Sequence, residues 1–145
     1  MTVLVDTSAW VEYLRATGRA HHHWVRDAVA REIPLAWTDP VLYELTAGAR
    51  TTARSDQLRA LLARGPLLAV AGLRDWEDAA RLYRTARSKG STVRSTVDCL
   101  IAAVAVRTAT PVMARDRDYD ALEKICDLQL VRPSSSDGPD GTTAQ

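Results

Sequence analysis

The opening stretch, Met1 to Ser8, constrains this chain more than any other. Val3-Leu4-Val5 is a short aliphatic run that stops at an acid and two hydroxyl residues, Asp6-Thr7-Ser8. A continuous run of β-branched and aliphatic residues reads as a strand covered on both faces, as in a parallel sheet. Asp6 then falls at the strand's carboxyl end, and Thr7 or Ser8 is placed to cap the helix that follows. Open α/β sheets bind ligands outside the carboxyl ends of their strands. Asp6 is a site candidate on that ground, and a plain helix cap is its competing role.

The rest of the chain repeats the alternation. Apolar periodicity predicts helices over residues 7–16, 20–32, 41–49, 55–64, 75–89, 97–106 and 119–126. Short apolar runs predict further strands at 34–37, 67–70, 111–114 and 128–131. Thr38-Asp39-Pro40 supplies a cap and a first-turn proline for the third helix. On the 75–89 helix, Trp76, Ala79, Ala80, Leu82 and Tyr83 form the expected inward pattern. This order predicts an α/β domain with a mostly parallel sheet of about five strands over residues 1–132. Residues 133–145, rich in Ser, Gly, Asp and Thr, carry no apolar period and are expected to be a disordered tail.

Composition removes several classes of function. The 145 residues are 46% hydrophobic and 26% charged, ordinary for a globular domain. The net charge of +1 does not announce a nucleic-acid binder, although Lys89 and Lys124 are the only lysines among 19 basic residues. No apolar run has the length of a membrane span, and no signal sequence precedes Asp6, so no membrane partner is expected. Cys99 and Cys126 lack a paired spacing and read as reduced thiols of a cytoplasmic protein. His21-His22-His23 diverge by about 100° per residue on a helix and cannot converge on one ion.

Three further acids stand where acids are costly. Val41, Glu44, Leu45 and Gly48 share one helical stripe, which puts Glu44 on a face expected to be buried. Asp98 is the one charge in the run from Val97 to Val106. Ser95-Thr96-Val97-Asp98 also matches a capping box, the structural alternative for Asp98. Asp116 follows a strand as Asp6 does, and Asp118 is placed to cap the helix at Tyr119. Asp6, Glu44, Asp98 and Asp116 together describe an acidic pocket, with Asp118 in a peripheral, supporting place. Like charges so gathered need raised pKa values or a cation. Carboxylates without His or Cys select a hard ion, Mg²⁺ or Mn²⁺, the equipment of metal-assisted phosphodiester hydrolysis.

These stretches also carry a resemblance. Val5-Asp6-Thr7-Ser8, Tyr43-Glu44-Leu45, Val97-Asp98-Cys99-Leu100-Ile101-Ala102-Ala103 and Arg115-Asp116-Arg117-Asp118-Tyr119 are similar to the motifs of PIN-domain nucleases. In size and order the chain resembles the VapC-type toxins of bacterial toxin–antitoxin pairs, over roughly residues 2–132. The resemblance implies a three-layer α/β/α fold and matches Asp6, Glu44, Asp98 and Asp116 to the family's acidic quartet. It matches Ser8 to a small polar residue two after the first acid, and Asp118 to a secondary acid. Many members have His-Asn or Thr-Asn before the last motif, where this chain has Ala114-Arg115. A cognate antitoxin protein and a homodimer are implied as partners.

The activity expected is that of a Mg²⁺- or Mn²⁺-dependent endoribonuclease acting on tRNA, rRNA or mRNA. Asp6, Asp98 and Asp116 would hold the metal, and Glu44 would complete the shell or hold a second ion. Attack by activated water leaves a 5′-phosphate and a 3′-hydroxyl. Arg15, Arg50, Arg94, Arg115 and Arg117 are the candidate RNA contacts. Two alternatives stand beside this one: a phosphatase-like or receiver-like domain, and a catalytically silent PIN-like RNA-binding module. The first lacks an Asp-x-Asp pair after the opening strand and a lysine near the last strands.

Overall fold

The structure, a computed structural model, describes residues 1–133. The expected tail lies outside the described residues from position 134 onward. Strand β1 (Val3–Val5) is fully buried and is the middle strand of a parallel sheet ordered β2-β1-β3. Its neighbours are β2 (Leu35–Ala36) and β3 (Val112–Met113), both short and buried. Val3 faces Leu35, and Val5 faces Met113.

The predicted five strands are present as three. Leu67 reaches Trp37, and Leu130 reaches Val112, through one isolated parallel bridge each. These outer segments extend the sheet by a single pairing and then peel away. Gly65 sets the approach on one side: a Cβ there would lie 1.8 Å from the Leu35 carbonyl oxygen. The turn before Leu67 therefore lies directly on the β2 backbone, where only glycine fits.

Seven helices flank the sheet among the described residues: α1 (Thr7–Leu14), α2 (Ala20–Ala30), α3 (Asp39–Ala47), α4 (Thr52–Leu62), α5 (Gly72–Ser88), α6 (Thr96–Arg107) and α7 (Arg117–Glu123). They pack in two groups. Helix α1 contacts α2 and α3, and α3 contacts α4; α5, α6 and α7 pack on one another. The result is the three-layer α/β/α arrangement. Helix α6 is the most buried helix, with every residue from Asp98 to Ala105 buried, as its apolar sequence requires.

One expectation about aromatic residues is corrected. Trp10, Trp24 and Trp37 all belong to the core. Trp76 and Tyr83, expected inward, are instead 50% and 40% exposed on α5. The buried line of that helix runs through Asp75, Ala79 and Ala86, one step around from the predicted face. Asp75 is the reason. It is fully buried and takes a bidentate grip from Arg107, with Nε to Oδ1 and Nη2 to Oδ2 both at 2.9 Å. Arg107 also donates to the Ala69 carbonyl at 2.9 Å, and the Ala71 N–H donates to Asp75 at 2.6 Å. This satisfied ion pair fixes the rotation of α5 against the carboxyl end of α6.

Topology also marks where a site should lie. From β1 the chain leaves toward β2, and from β3 it leaves through α7 toward Leu130 on the opposite edge. The crevice between the carboxyl ends of β1 and β3 is the switch point of the sheet. Asp6 and Asp116 both follow these strands.

Candidate active site

Asp6, rather than Thr7 or Ser8, is the N-cap of α1, so its competing role as a cap is met. Its Oδ2 accepts the Ser8 backbone N–H at 2.9 Å and the Ser8 hydroxyl at 2.5 Å. Its Oδ1 accepts the Tyr119 hydroxyl at 2.8 Å. Both oxygens are therefore fixed, one from α1 and one from α7. Burial pushes the Asp6 carboxyl up, the Ser8 and Tyr119 hydrogen bonds pull it down, and the Asp116 charge adds a smaller push upward. Burial and the neighbouring acids also hold Tyr119 well above its usual pKa, so its hydroxyl stays a donor.

The second group comes from α6 and α7. Asp116 caps α7 and accepts the Asp118 N–H at 2.9 Å, so Asp118 is not the cap expected of it. Asp118 is buried, and its Oδ2 accepts the backbone N–H groups of Arg94 and Ser95, both at 3.0 Å. Ser95 caps α6, with its Oγ accepting the Asp98 N–H at 3.2 Å. The capping box is therefore half made, because the Ser95 N–H goes to Asp118. Asp98 Oδ2 is left buried with no hydrogen-bond partner.

Carboxylate oxygens of Asp98, Asp116 and Asp118 lie within 4.8 Å of one another. Asp118, expected at the periphery, is one of the three. The Asp98 carboxyl is pushed up to about 8, first by burial and then by the charges of Asp6, Asp116 and Asp118. A buried acceptor without a donor, facing two more carboxylates, suits a hard divalent cation.

Glu44 departs from its expected burial. Val41 and Leu45 are buried, but Glu44 is on the exposed side of α3. It reaches the site from the rim, where the Thr7 hydroxyl donates to its Oε1 at 2.8 Å. Partial desolvation raises its carboxyl, the Thr7 bond lowers it, and the Asp6 charge raises it. Thr7 thus ties the rim acid to the residue next to Asp6.

The expected RNA-contacting arginines divide. Arg15 and Arg50, with Arg54, line a cleft of about 450 Å³ that has Glu44 and Thr7 at its wall. Arg94 and Arg117 line a second cleft of about 470 Å³, with Asp116 and Asp118. The two clefts flank the acids. Arg115 is elsewhere: its guanidinium sits on Glu12, and its backbone N–H donates to the Ser8 hydroxyl at 2.8 Å. Sequence reasoning missed Tyr119, Thr7, Arg54 and Glu12. Thr7 and Tyr119 lie inside the quoted motifs, beside the acids they serve.

The PIN domain family model matches residues 3–125. Ribonuclease VapC11 of Mycobacterium tuberculosis is 41% identical over 130 residues, 89% of this chain and 97% of that protein. A VapC ribonuclease of Mycobacterium bovis matches to the same extent, 41% over 130 residues. The chain belongs to the PIN-domain family. Within that family its likeness is to the VapC-type branch. VapBC-5 from Mycobacterium tuberculosis, a toxin–antitoxin structure, superposes at a TM-score of 0.61 with 29% identity, covering 90% of this chain and 98% of that one. VapBC2 from Rickettsia felis, bound to a promoter DNA fragment, superposes at 0.69 with 18% identity, 90% and 98% covered, and supports the fold.

Proposed function

We propose that this protein is a divalent-metal-dependent endoribonuclease serving as the toxin of a toxin–antitoxin pair in the cytoplasm. The observation that carries the reading is Asp98, whose Oδ2 is buried without a donor and whose carboxylate lies within one ion's reach of Asp116 and Asp118. The VapC ribonucleases it resembles support RNA as the substrate, and the VapBC complexes support an antitoxin partner. A homodimer is part of the same reading. All the acids are intact, which disfavours a silent binding module.

A divalent cation, Mg²⁺ or Mn²⁺, would supply Lewis-acid stabilisation of the charge that develops on the phosphate and would acidify water. Asp98, Asp116 and Asp118 would hold it, with Asp6 alongside. Ser8 and Tyr119 fix the Asp6 carboxylate through both oxygens, so it presents one orientation. Glu44 is held by Thr7 at the rim, where it would orient the attacking water or help hold a second ion. Arg15, Arg50, Arg94 and Arg117 bracket the acids and take the RNA backbone on either side. The products are a 5′-phosphate and a 3′-hydroxyl.

Expression without an antitoxin tests the reading. The wild-type protein should arrest bacterial growth, and Glu44→Gln should abolish the arrest while keeping fold and antitoxin binding. A toxic Glu44→Gln protein at matched expression removes Glu44 from the site.

A further inference from the structure

Glu12 is 5% exposed on α1, one turn past Ser8, and no motif accounts for it. A buried carboxylate costs several kcal/mol unless it is paired. Here it is paired several times. Oε1 meets the guanidinium of Arg115 and, at 3.3 Å, that of Arg19, and Oε2 accepts the Thr17 hydroxyl. Burial raises the Glu12 carboxyl, but the Thr17 and Arg115 hydrogen bonds and the two arginine charges outweigh it and hold it low.

Arg115 grips α1 in two places. Its guanidinium takes Glu12, and its backbone N–H takes Ser8 Oγ at 2.8 Å, the same hydroxyl that donates to Asp6 at 2.5 Å. His21 of α2 and Ala114, the preceding residue, line one cleft beside this contact. Arg115 stands between β3 and the acid-bearing turn Asp116-Arg117-Asp118. Beyond the β1–β3 ladder, Arg115 thus adds a side-chain tie between α1 and the segment that carries Asp116.

We infer that Arg115 and Glu12 form a positioning clamp between α1 and the β3–α7 turn, holding Asp116 and Asp118 in register with Asp6. The inference rests on the metal reading above. Arg115 acts through the acids, and its charge is spent on Glu12 rather than on RNA. Partners behind metal ligands typically change affinity by about 10–100-fold when removed.

The test uses the full chain as wild type, Glu12→Gln, Arg115→Ala, Arg115→Lys and the Glu12→Gln/Arg115→Ala double variant. Mn²⁺ affinity is measured by calorimetry without RNA, RNA affinity in chelator, and kcat and KM with Mn²⁺. Thermal unfolding identifies any misfolded variant; Arg115 is partly exposed, so Arg115→Ala keeps the test alive if Glu12→Gln fails to fold. Each single variant should weaken Mn²⁺ binding about tenfold and lower kcat, with RNA affinity and KM nearly unchanged. The double variant should be no worse than the singles, and Arg115→Lys should recover part of the loss. If Arg115→Ala instead loses RNA affinity at unchanged Mn²⁺ affinity, while Glu12→Gln gains it, Arg115 is an RNA contact and the clamp is wrong. Equal Mn²⁺ affinity in all five proteins overturns the clamp and leaves the metal reading standing. Failure of the wild type to bind Mn²⁺ overturns both.

Discussion

Asp118 accepts the backbone N–H of Ser95 at 3.0 Å, the donor that a reciprocal capping box would give to Asp98. This exchange leaves Asp98 Oδ2 unsatisfied at the mouth of the most buried helix. An orphaned buried acceptor costs about 1–3 kcal/mol, which cation binding recovers. Asp98→Asn should therefore leave the metal-free protein at least as stable as wild type while removing activity and weakening Mn²⁺ binding. A loss above about 1 kcal/mol in denaturant unfolding would return Asp98 to a structural cap.

Stability should also depend on pH through the same residue. The Asp98 carboxyl is raised to about 8, above its usual value near 3.8. Between these values the folded state holds a proton that the unfolded state releases, so stability falls as pH rises. The metal-free protein should lose stability from pH 5 to pH 8 at up to about 1.4 kcal/mol per pH unit, about 4 kcal/mol in all, read as a falling Tm. Mn²⁺ should restore the loss at pH 8, and Asp98→Asn should flatten the profile. A metal-free Tm that climbs through this range contradicts the assignment.

How much of this was legible depended on where partners lie along the chain. Asp6, Asp98 and Asp116 stand out because each interrupts or ends an apolar run. Glu44 was misplaced because α3 meets the core along a narrow line, Val41 and Leu45, and periodicity cannot tell a stripe's edge from its centre. Glu12 and Asp75 gave no signal at all. Arg115 lies 103 residues from Glu12 and Arg107 32 residues from Asp75, distances that no local spacing encodes. The rotation of α5 followed from that second pair, so Trp76 was misread with it. Helix ends at 14, 30 and 107 fell within two residues of those expected, although Ala16, Glu32 and Ala109 take the left-handed angles (φ 49°, 56° and 51°) that glycine usually marks.

Asp118 offers a sharp contrast with its expected supporting place. Its carboxylate belongs to the three-acid group and also holds the Arg94–Ser95 loop. Asp118→Asn should lower kcat about as far as Asp116→Asn does, roughly 100-fold or more. Full activity in Asp118→Asn would confine Asp118 to loop support.

The Asp75–Arg107 pair should carry stability without chemistry. Arg107→Ala leaves a fully buried carboxylate unpaired and should cost about 3 kcal/mol by denaturant unfolding. Mn²⁺ affinity of the remaining folded protein should stay at the wild-type value. A loss below about 1 kcal/mol would mean that α5 is held by other contacts.

The most direct measurement is cleavage of a labelled RNA by the purified protein with Mg²⁺ or Mn²⁺, repeated in excess EDTA, with the product ends identified. Metal-dependent cleavage that stops in chelator and leaves 5′-phosphate and 3′-hydroxyl ends is the predicted result. Undiminished cleavage in EDTA, or products ending in 2′,3′-cyclic phosphate, would contradict the account.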